Sequence, residues 1–387
     1  MKPRGWVVAA VAALCMGTPA CGPRGTAGAT APPVPPARPA DVDVTLFLIG
    51  DAGAPQVPPD SEPVLIALRA AAAVAPHPFI AFLGDNLYPN GLPDSTAPGR
   101  PKAERRISQE LGVLQGTGLP GLFVPGNHDW DGMAPGGWNA IQRQGRYIAA
   151  AGGTGSGLLP RDGCPGPAIV DVGSAVRLVA LDTQWWLQNG PKPVDPTSRC
   201  AADSEREVID AVRAALRGAG SRTAVVVAHH PPVSGGPHGG HFEWQDHIFP
   251  LRHLKSWLWI PLPVLGSAYP IAREHGWSTQ DVSGAPYRRM SAALDSAFAG
   301  APPLIYAAGH DHALQVIAGT SVRYVLVSGA GTFGHLEHVA TVDSTRFAES
   351  ASGFMRVEFL HDGRARLGVT VVDSVGHGRE EFALWLR

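Results

Sequence analysis

The sequence predicts an α/β layered fold. Short apolar runs alternate with amphipathic stretches of helical period along most of the chain. Apolar residues make up 44% of 387, enough to bury a sizeable core. Acidic, amide and imidazole residues collect just after the apolar runs, at the expected carboxyl ends of strands.

Taken in order, residues 44–49, 79–83, 121–124, 176–181, 223–228, 304–308 and 322–327 are expected as short buried strands. Residues 62–75, 102–114, 138–150, 204–217 and 286–298 carry the helical pattern between them. From about 354 to 386 the pattern is again that of strands, with breaks at Asp362-Gly363 and Gly376-His377-Gly378. The 47 glycines and 37 prolines suit a fold rich in turns. There is no internal repeat and no second composition class, so a single domain is expected over 41–387.

Ahead of that domain, residues 1–21 read as an export signal. Lys2 and Arg4 precede an apolar run from Trp6 to Leu14, which is too short to span a bilayer. Thr18-Pro19-Ala20-Cys21 resembles a degenerate lipoprotein cleavage box, with Thr18 in place of the usual leucine and Cys21 as the lipidated residue. A plain secretory signal and a retained anchor are the alternatives. Residues 22–40, rich in Ala, Pro, Gly and Thr, read as a flexible tether. The expectation is an exported protein, periplasmic or at the cell surface, lipid-anchored or secreted.

Cys15 and Cys21 fall in the export segment, leaving Cys164 and Cys200 as a disulfide permitted by an oxidising compartment. Charged residues are 17% of the chain and the net charge is −2, which gives no electrostatic footprint for nucleic acid or for an anionic membrane. Membrane contact is expected only through the lipid anchor. Residues 241–284 stand apart: Phe242, Trp244, Phe249, Trp257, Trp259, Tyr269 and Trp277 are broken by several prolines. This insertion reads either as a lid or wall beside a site or as a packed excursion with its own small core.

The chemistry lies in five strand ends. They are Gly50-Asp51-Ala52-Gly53, Gly84-Asp85-Asn86-Leu87-Tyr88, Gly126-Asn127-His128-Asp129, His229-His230-Pro231 and Gly309-His310-Asp311-His312. Singly each is ordinary, since Gly-Asp after a strand is most often a turn and adjacent histidines are common in loops. Together they place Asp, Asn and His, ligand types for hard and borderline metals, at one end of a layered sheet.

This series resembles the metallophosphoesterase (calcineurin-like) superfamily from about residue 44 to 330, and within it the purple or tartrate-resistant acid phosphatases. Gly53 stands where most of the superfamily has a metal-binding histidine, and Tyr88 stands where the purple enzymes have a tyrosinate. Leu181-Asp182-Thr183 is similar too. The resemblance implies a four-layer α-β-β-α sandwich with two mixed sheets and a site at the C-terminal ends of strands. It implies two metal ions. Asp51, Asp85, Tyr88 and His312 would hold the first, suited to Fe(III). Asp85, Asn127, His229 and His310 would hold the second, suited to Fe(II), Zn(II) or Mn(II). Asp85 would bridge them. His128 and His238 would serve phosphate binding and protonation of the leaving alkoxide, with His241 and His247 as alternatives to His238. Asp129 would orient His128 or cap a turn.

The implied activity is acid-phosphatase-like hydrolysis of a phosphate monoester by in-line attack of hydroxide held by the metals. Two alternatives stand beside it: a phosphodiesterase or nucleotide hydrolase on the same metals, and a surface protein that binds metal without turnover. The chain between His229 and His310 is longer than in the small purple phosphatases, which leaves the substrate class open. Beyond about residue 335 no motif is legible.

Overall fold

A computed structural model describes residues 34–55, 61–152, 156–196, 198–253 and 257–387. The expected export signal, with Cys15 and Cys21, and tether residues 22–33 lie outside the described residues. In chain order the strands are β1 Val42–Ile49, β2 Pro78–Phe82, β3 Gly121–Phe123, β4 Ser156–Leu158, β5 Ala168–Val172, β6 Val176–Ala180, β7 Thr223–Val227, β8 Ile305–Ala308, β9 Leu314–Ala318, β10 Tyr324–Ser328, β11 Thr345–Glu349, β12 Gly353–Leu360, β13 Ala365–Val372 and β14 Gly378–Trp385. The helices are α1 Pro63–Val74, α2 Arg100–Thr117, α3 Gly137–Ala151, α4 Gln184–Leu187, α5 Glu205–Arg217, α6 Trp244–Ile248, α7 Ala268–Glu274 and α8 Ala285–Phe298, with short 3-10 turns between.

Two mixed sheets form, ordered β14-β13-β12-β1-β2-β3-β4 and β11-β9-β10-β8-β7-β6-β5. Strand periodicity assigns their faces. Val44, Leu46 and Leu48 of β1 meet Val225 and Val227 of β7 and Ile305 and Ala307 of β8 in a core between the sheets. Phe47 and Ile49 point the other way, onto Val64 and Leu68 of α1 and Ile107 and Leu111 of α2. Val226 and Tyr306 likewise pack on Val208 and Val212 of α5 and Met290 and Leu294 of α8. The layers are therefore helix, sheet, sheet, helix. Burial on both faces explains why the central strands are apolar throughout rather than alternating. Each fully buried Leu, Val or Phe contributes roughly 1.5–3 kcal/mol.

Strands β1, β2 and β3 run parallel, as do β6, β7, β8 and β10, so their carboxyl ends gather at one pole. The two sheets are tied there, where the Gly50 amide donates to Ser328 O at 2.7 Å and the Ser328 hydroxyl to Leu48 O at 2.8 Å. At the opposite pole, buried Arg366 of β13 donates to the carbonyls of Val34 and Pro35, so the last stretch before β1 lies against the base of the first sheet.

Strands β4, β5, β9 and β11 were not expected from the sequence. β4 is three residues long, and β5 and β11 are half-buried edges without an apolar run. Cys164 and Cys200 are bridged, closing the stretch that holds β5, β6 and α4. The 241–284 segment contains α6 and α7. It leaves Trp244, Trp257, Trp259 and Trp277 exposed while burying Asp246 and Arg273. Among the described residues no helix is long and apolar enough to cross a membrane.

Candidate metal centre

Three of the expected ligands sit on unusual backbone. Asp51 and His310, each the second residue after β1 and after β8, have φ of 59° and 75°, and Asp85, the third after β2, has φ of 52°. The left-handed region costs a non-glycine residue about 1–3 kcal/mol and persists where its surroundings fix it. Here they do. The Asp51 amide donates to Gly84 O at 3.0 Å, and the His310 amide donates to Asp51 Oδ2 at 2.9 Å. Gly84, with φ of 91°, is needed for a second reason: a β-carbon there would lie 2.5 Å from His229 Nδ1. At Gly53 a β-carbon would stand 2.2 Å from the Asn86 carbonyl carbon. A histidine at that position has no room beside this form of the Asp85 loop.

The second set of donors converges. His229 Nε2 lies 3.0 Å from Asn127 Oδ1, 3.5 Å from Asp85 Oδ2 and 3.3 Å from His310 Nδ1. Ligands about 2.1 Å from an ion at angles near 90–110° are separated by about 3.0–3.4 Å, so these edges fit a cation. The ring tautomers agree. His229 Nδ1 is 2.9 Å from Leu83 O, and His310 Nε2 is 2.8 Å from Gln280 O. A carbonyl only accepts, so those nitrogens carry the protons, and the lone pairs on His229 Nε2 and His310 Nδ1 face inward.

The first set does the same. Tyr88 Oη lies 2.9 Å from Asp51 Oδ1 and 3.0 Å from His312 Nε2, which is 3.5 Å from Asp51 Oδ1. Asp51, Asp85 and His229 form a buried group close enough to hold a metal ion together. Burial, then the carboxylates of Asp51 and Asp85, push the Tyr88 phenol well above its ordinary pKa, so a phenolate there requires a cation beside it. The same field calls for positive charge at His312. Burial opposes its protonation, yet Glu337 and Asp51 hold it up to about 10.

The remaining residues surround this pair. His128 donates through Nδ1 to Pro89 O, leaving Nε2 3.9 Å from Asp85 Oδ2, while its amide donates to Asp85 Oδ1 at 2.9 Å. His238, rather than His241 or His247, stacks on His310 with ring centres 3.8 Å apart. Its Nδ1 lies 2.9 Å from Asp281 Oδ1. Burial works against a charge on His238, but the hydrogen bond to Asp281 and the charge on Asp311 outweigh it and raise its pKa. His230, which also falls near His229 and His310, spends Nδ1 on Thr183 Oγ1 at 2.8 Å and Nε2 on Gln280 Oε1 at 2.9 Å. It supports the neighbouring histidines and has no free lone pair for an ion.

Asp129 does not touch His128. It accepts from the amides of Asn86 and Gly126, from Asn86 Nδ2 and from Gln144 Nε2, so it clamps the Asp85 loop to the Asn127 turn. Asp129→Ala takes the partner from three buried donors, the amides of Asn86 and Gly126 and Gln144 Nε2, while Asn86 Nδ2 keeps Val124 O. A loss of at least about 3 kcal/mol in stability is expected, measured by urea unfolding of the metal-free protein.

Sequence reasoning missed His335 and Glu337. The His335 ring sits 4.1 Å from that of His312 and 5.2 Å from that of Tyr88. Glu337 Oε2 accepts from the His312 amide at 3.2 Å. The signal available was Gly329-Ala330-Gly331 just beyond a predicted strand, a glycine-rich strand end whose polar residues come later. It also missed Gln280, Asp281 and Arg273, which lie in the insertion and carry no motif.

No protein-family model matches the chain, and no curated protein matches it by sequence. Solved structures do. One described as GAP50, the anchor in the inner membrane complex of Plasmodium, superposes with a TM-score of 0.52 at 16% identity over 89% of each chain. Purple acid phosphatase PPD1 from yellow lupin seeds matches 88% of this chain and 53% of its own, at 12% identity and a TM-score of 0.50. PhoD matches 90% of this chain and 69% of its own, also at 12% identity and 0.50. Identities this low speak to architecture, and by that architecture the protein has a metallophosphoesterase-type fold.

Proposed function

We propose that the protein hydrolyses phosphate monoesters at a site of two metal ions. The observation that carries this is the convergence, from five strand ends, of seven donor side chains, with the outward nitrogens of His229 and His310 already tied to carbonyls. The likeness to a purple acid phosphatase supports the same reading.

Bound cations supply charge neutralisation for the phosphate oxygens and lower the pKa of a bound water. The chain's own residues do the rest. Asp51, Tyr88 and His312 hold one ion, Asn127, His229 and His310 the other, and Asp85 both. A phenolate and two carboxylates suit Fe(III) at the first position. Amide, carboxylate and two imidazoles suit Fe(II), Zn(II) or Mn(II) at the second. His128 Nε2 and His238 Nε2 are the nitrogens left for the ester, the first to bind phosphate and the second to protonate the departing alkoxide. The site belongs to an exported protein, held near a membrane by Cys21 when that residue is lipidated.

Iron-loaded protein should show a visible charge-transfer band, giving a pink or purple preparation. Tyr88→Phe should abolish that band while iron remains measurable. Colourless iron-loaded wild type would remove Tyr88 from the ligand set. The reaction is tested on p-nitrophenyl phosphate and its bis-ester, where faster hydrolysis of the bis-ester moves the assignment to a diesterase. The neighbour described as an anchor favours one second reading, a metal-binding surface protein without turnover. Metal-loaded protein inert towards both esters over a wide pH range would favour it.

A further inference from the structure

We propose that Asp281, backed by Arg273, positions His238 as the acid for the leaving group, so that the end of the 241–284 insertion is part of the reaction apparatus. This rests on the phosphate-ester reading above.

Asp281 is 1% exposed. Its Oδ1 is shared, accepting from His238 Nδ1 at 2.9 Å and from Arg273 Nη2 at 2.5 Å, while Oδ2 accepts from Arg273 Nε at 2.9 Å. A salt bridge that merely pinned the insertion would not need to share an oxygen with a histidine. Arg273 is itself held, donating to the Tyr269 hydroxyl at 3.1 Å with its guanidinium 5.3 Å from the centre of the Phe242 ring. It neutralises the buried carboxylate, which can then fix the imidazole without leaving an unpaired charge.

The backbone of His238 is fixed as well. Its amide donates to Asp311 Oδ1 at 3.0 Å, and its carbonyl accepts from the Val282 amide at 2.9 Å. A carboxylate accepting from Nδ1–H fixes the neutral ring with its lone pair on Nε2, so the proton gained in the imidazolium form, the transferable one, sits on Nε2. The preceding residue acts in parallel, with the Gln280 carbonyl on His310 and the Gln280 amide group on His230. Two consecutive residues of one insertion thus orient three histidines of the site. In the reaction a hydroxide oxygen forms the new bond to phosphorus, the ester P–O bond breaks, the departing oxygen takes the Nε2 proton of the imidazolium, and His238 regains a proton from water.

The test compares an alkyl phosphate, whose leaving group needs a proton, with p-nitrophenyl phosphate, whose leaving group needs it far less. In Asp281→Ala, kcat on the alkyl ester should fall about 100-fold and on the activated ester about tenfold or less. Metal content and melting temperature are measured alongside. Asp281→Glu should restore part of the alkyl rate. In a His238→Gln background, Asp281→Ala should cause little further loss on the alkyl ester. Equal losses on both esters, no loss, or a full additive loss in the double variant would overturn the proposal.

A second readout is independent of turnover. In zinc-loaded wild type the Nδ1 proton of His238 should give a downfield, slowly exchanging NMR signal, lost in Asp281→Asn. Wild type that hydrolyses neither ester but shows this signal would overturn the hydrolase reading alone. Absence of the signal from wild type would overturn the positioning role.

Discussion

Asp85→Ala is expected to empty both metal positions and to lower kcat/KM by more than about 100-fold, because losing only a partner behind a ligand already costs roughly 10–100-fold. Asp85 is the one side chain placed between the two donor sets. Its Oδ2 faces His229 Nε2 at 3.5 Å, and Tyr88 shares its environment from the other side. On the two-metal reading, removing it takes its carboxylate from both positions and leaves Asp51 as the one carboxylate among the proposed ligands. Metal per chain, measured by elemental analysis of the purified variant, should fall below one equivalent while the circular dichroism spectrum keeps the wild-type shape. A variant retaining two equivalents and near-normal turnover would end the two-metal assignment.

Removing the Cys164–Cys200 bridge is expected to cost about 4 kcal/mol. The bridge closes a sequence separation of 36 residues, and that loop is constrained in the unfolded chain by roughly this amount at 25 °C. The closed stretch holds the edge strand β5, whose inner neighbour β6 runs beside β7, the strand that delivers His229. For a domain of this size the loss corresponds to a fall of about 5 °C in melting temperature. A Cys164→Ser, Cys200→Ser double variant compared with the oxidised wild type checks it. An unchanged melting temperature would show that the unfolded chain is not limited by this link.

How far the site could be read before folding depended on where its residues lie in the chain. Asp51, Asp85, Asn127, His229 and His310 each follow an apolar run by one to three residues, so strand prediction also located the candidate ligands. Gln280 and Asp281 follow no such run. They reach His310 and His238 only because the insertion folds back, and nothing local in a chain reports a contact made across thirty to forty residues. His335 and Glu337 were lost for a related reason: β10 was anticipated at 322–327, but the loop after it carries its polar residues several positions downstream. β4, β5 and β11 lie at sheet edges, where pairing with a neighbour makes the strand, whereas β9 is an internal, buried and mostly apolar strand that the sequence reading overlooked. Asp129 shows the opposite case. Its position beside His128 suggested either orienting that ring or capping a turn, and the fold uses it to bind the Gly126 amide of its own turn and to lock that turn to the Asn86 loop.

The hold of Arg366 on Val34 and Pro35 has an orientational consequence. The described chain enters at the pole farthest from Asp85, so a tug on the amino terminus would be transmitted to the base of the sheet and not to the loops that gather the metals. Were the molecule moored through its leading segment, the pull would enter the described fold on the side away from those loops.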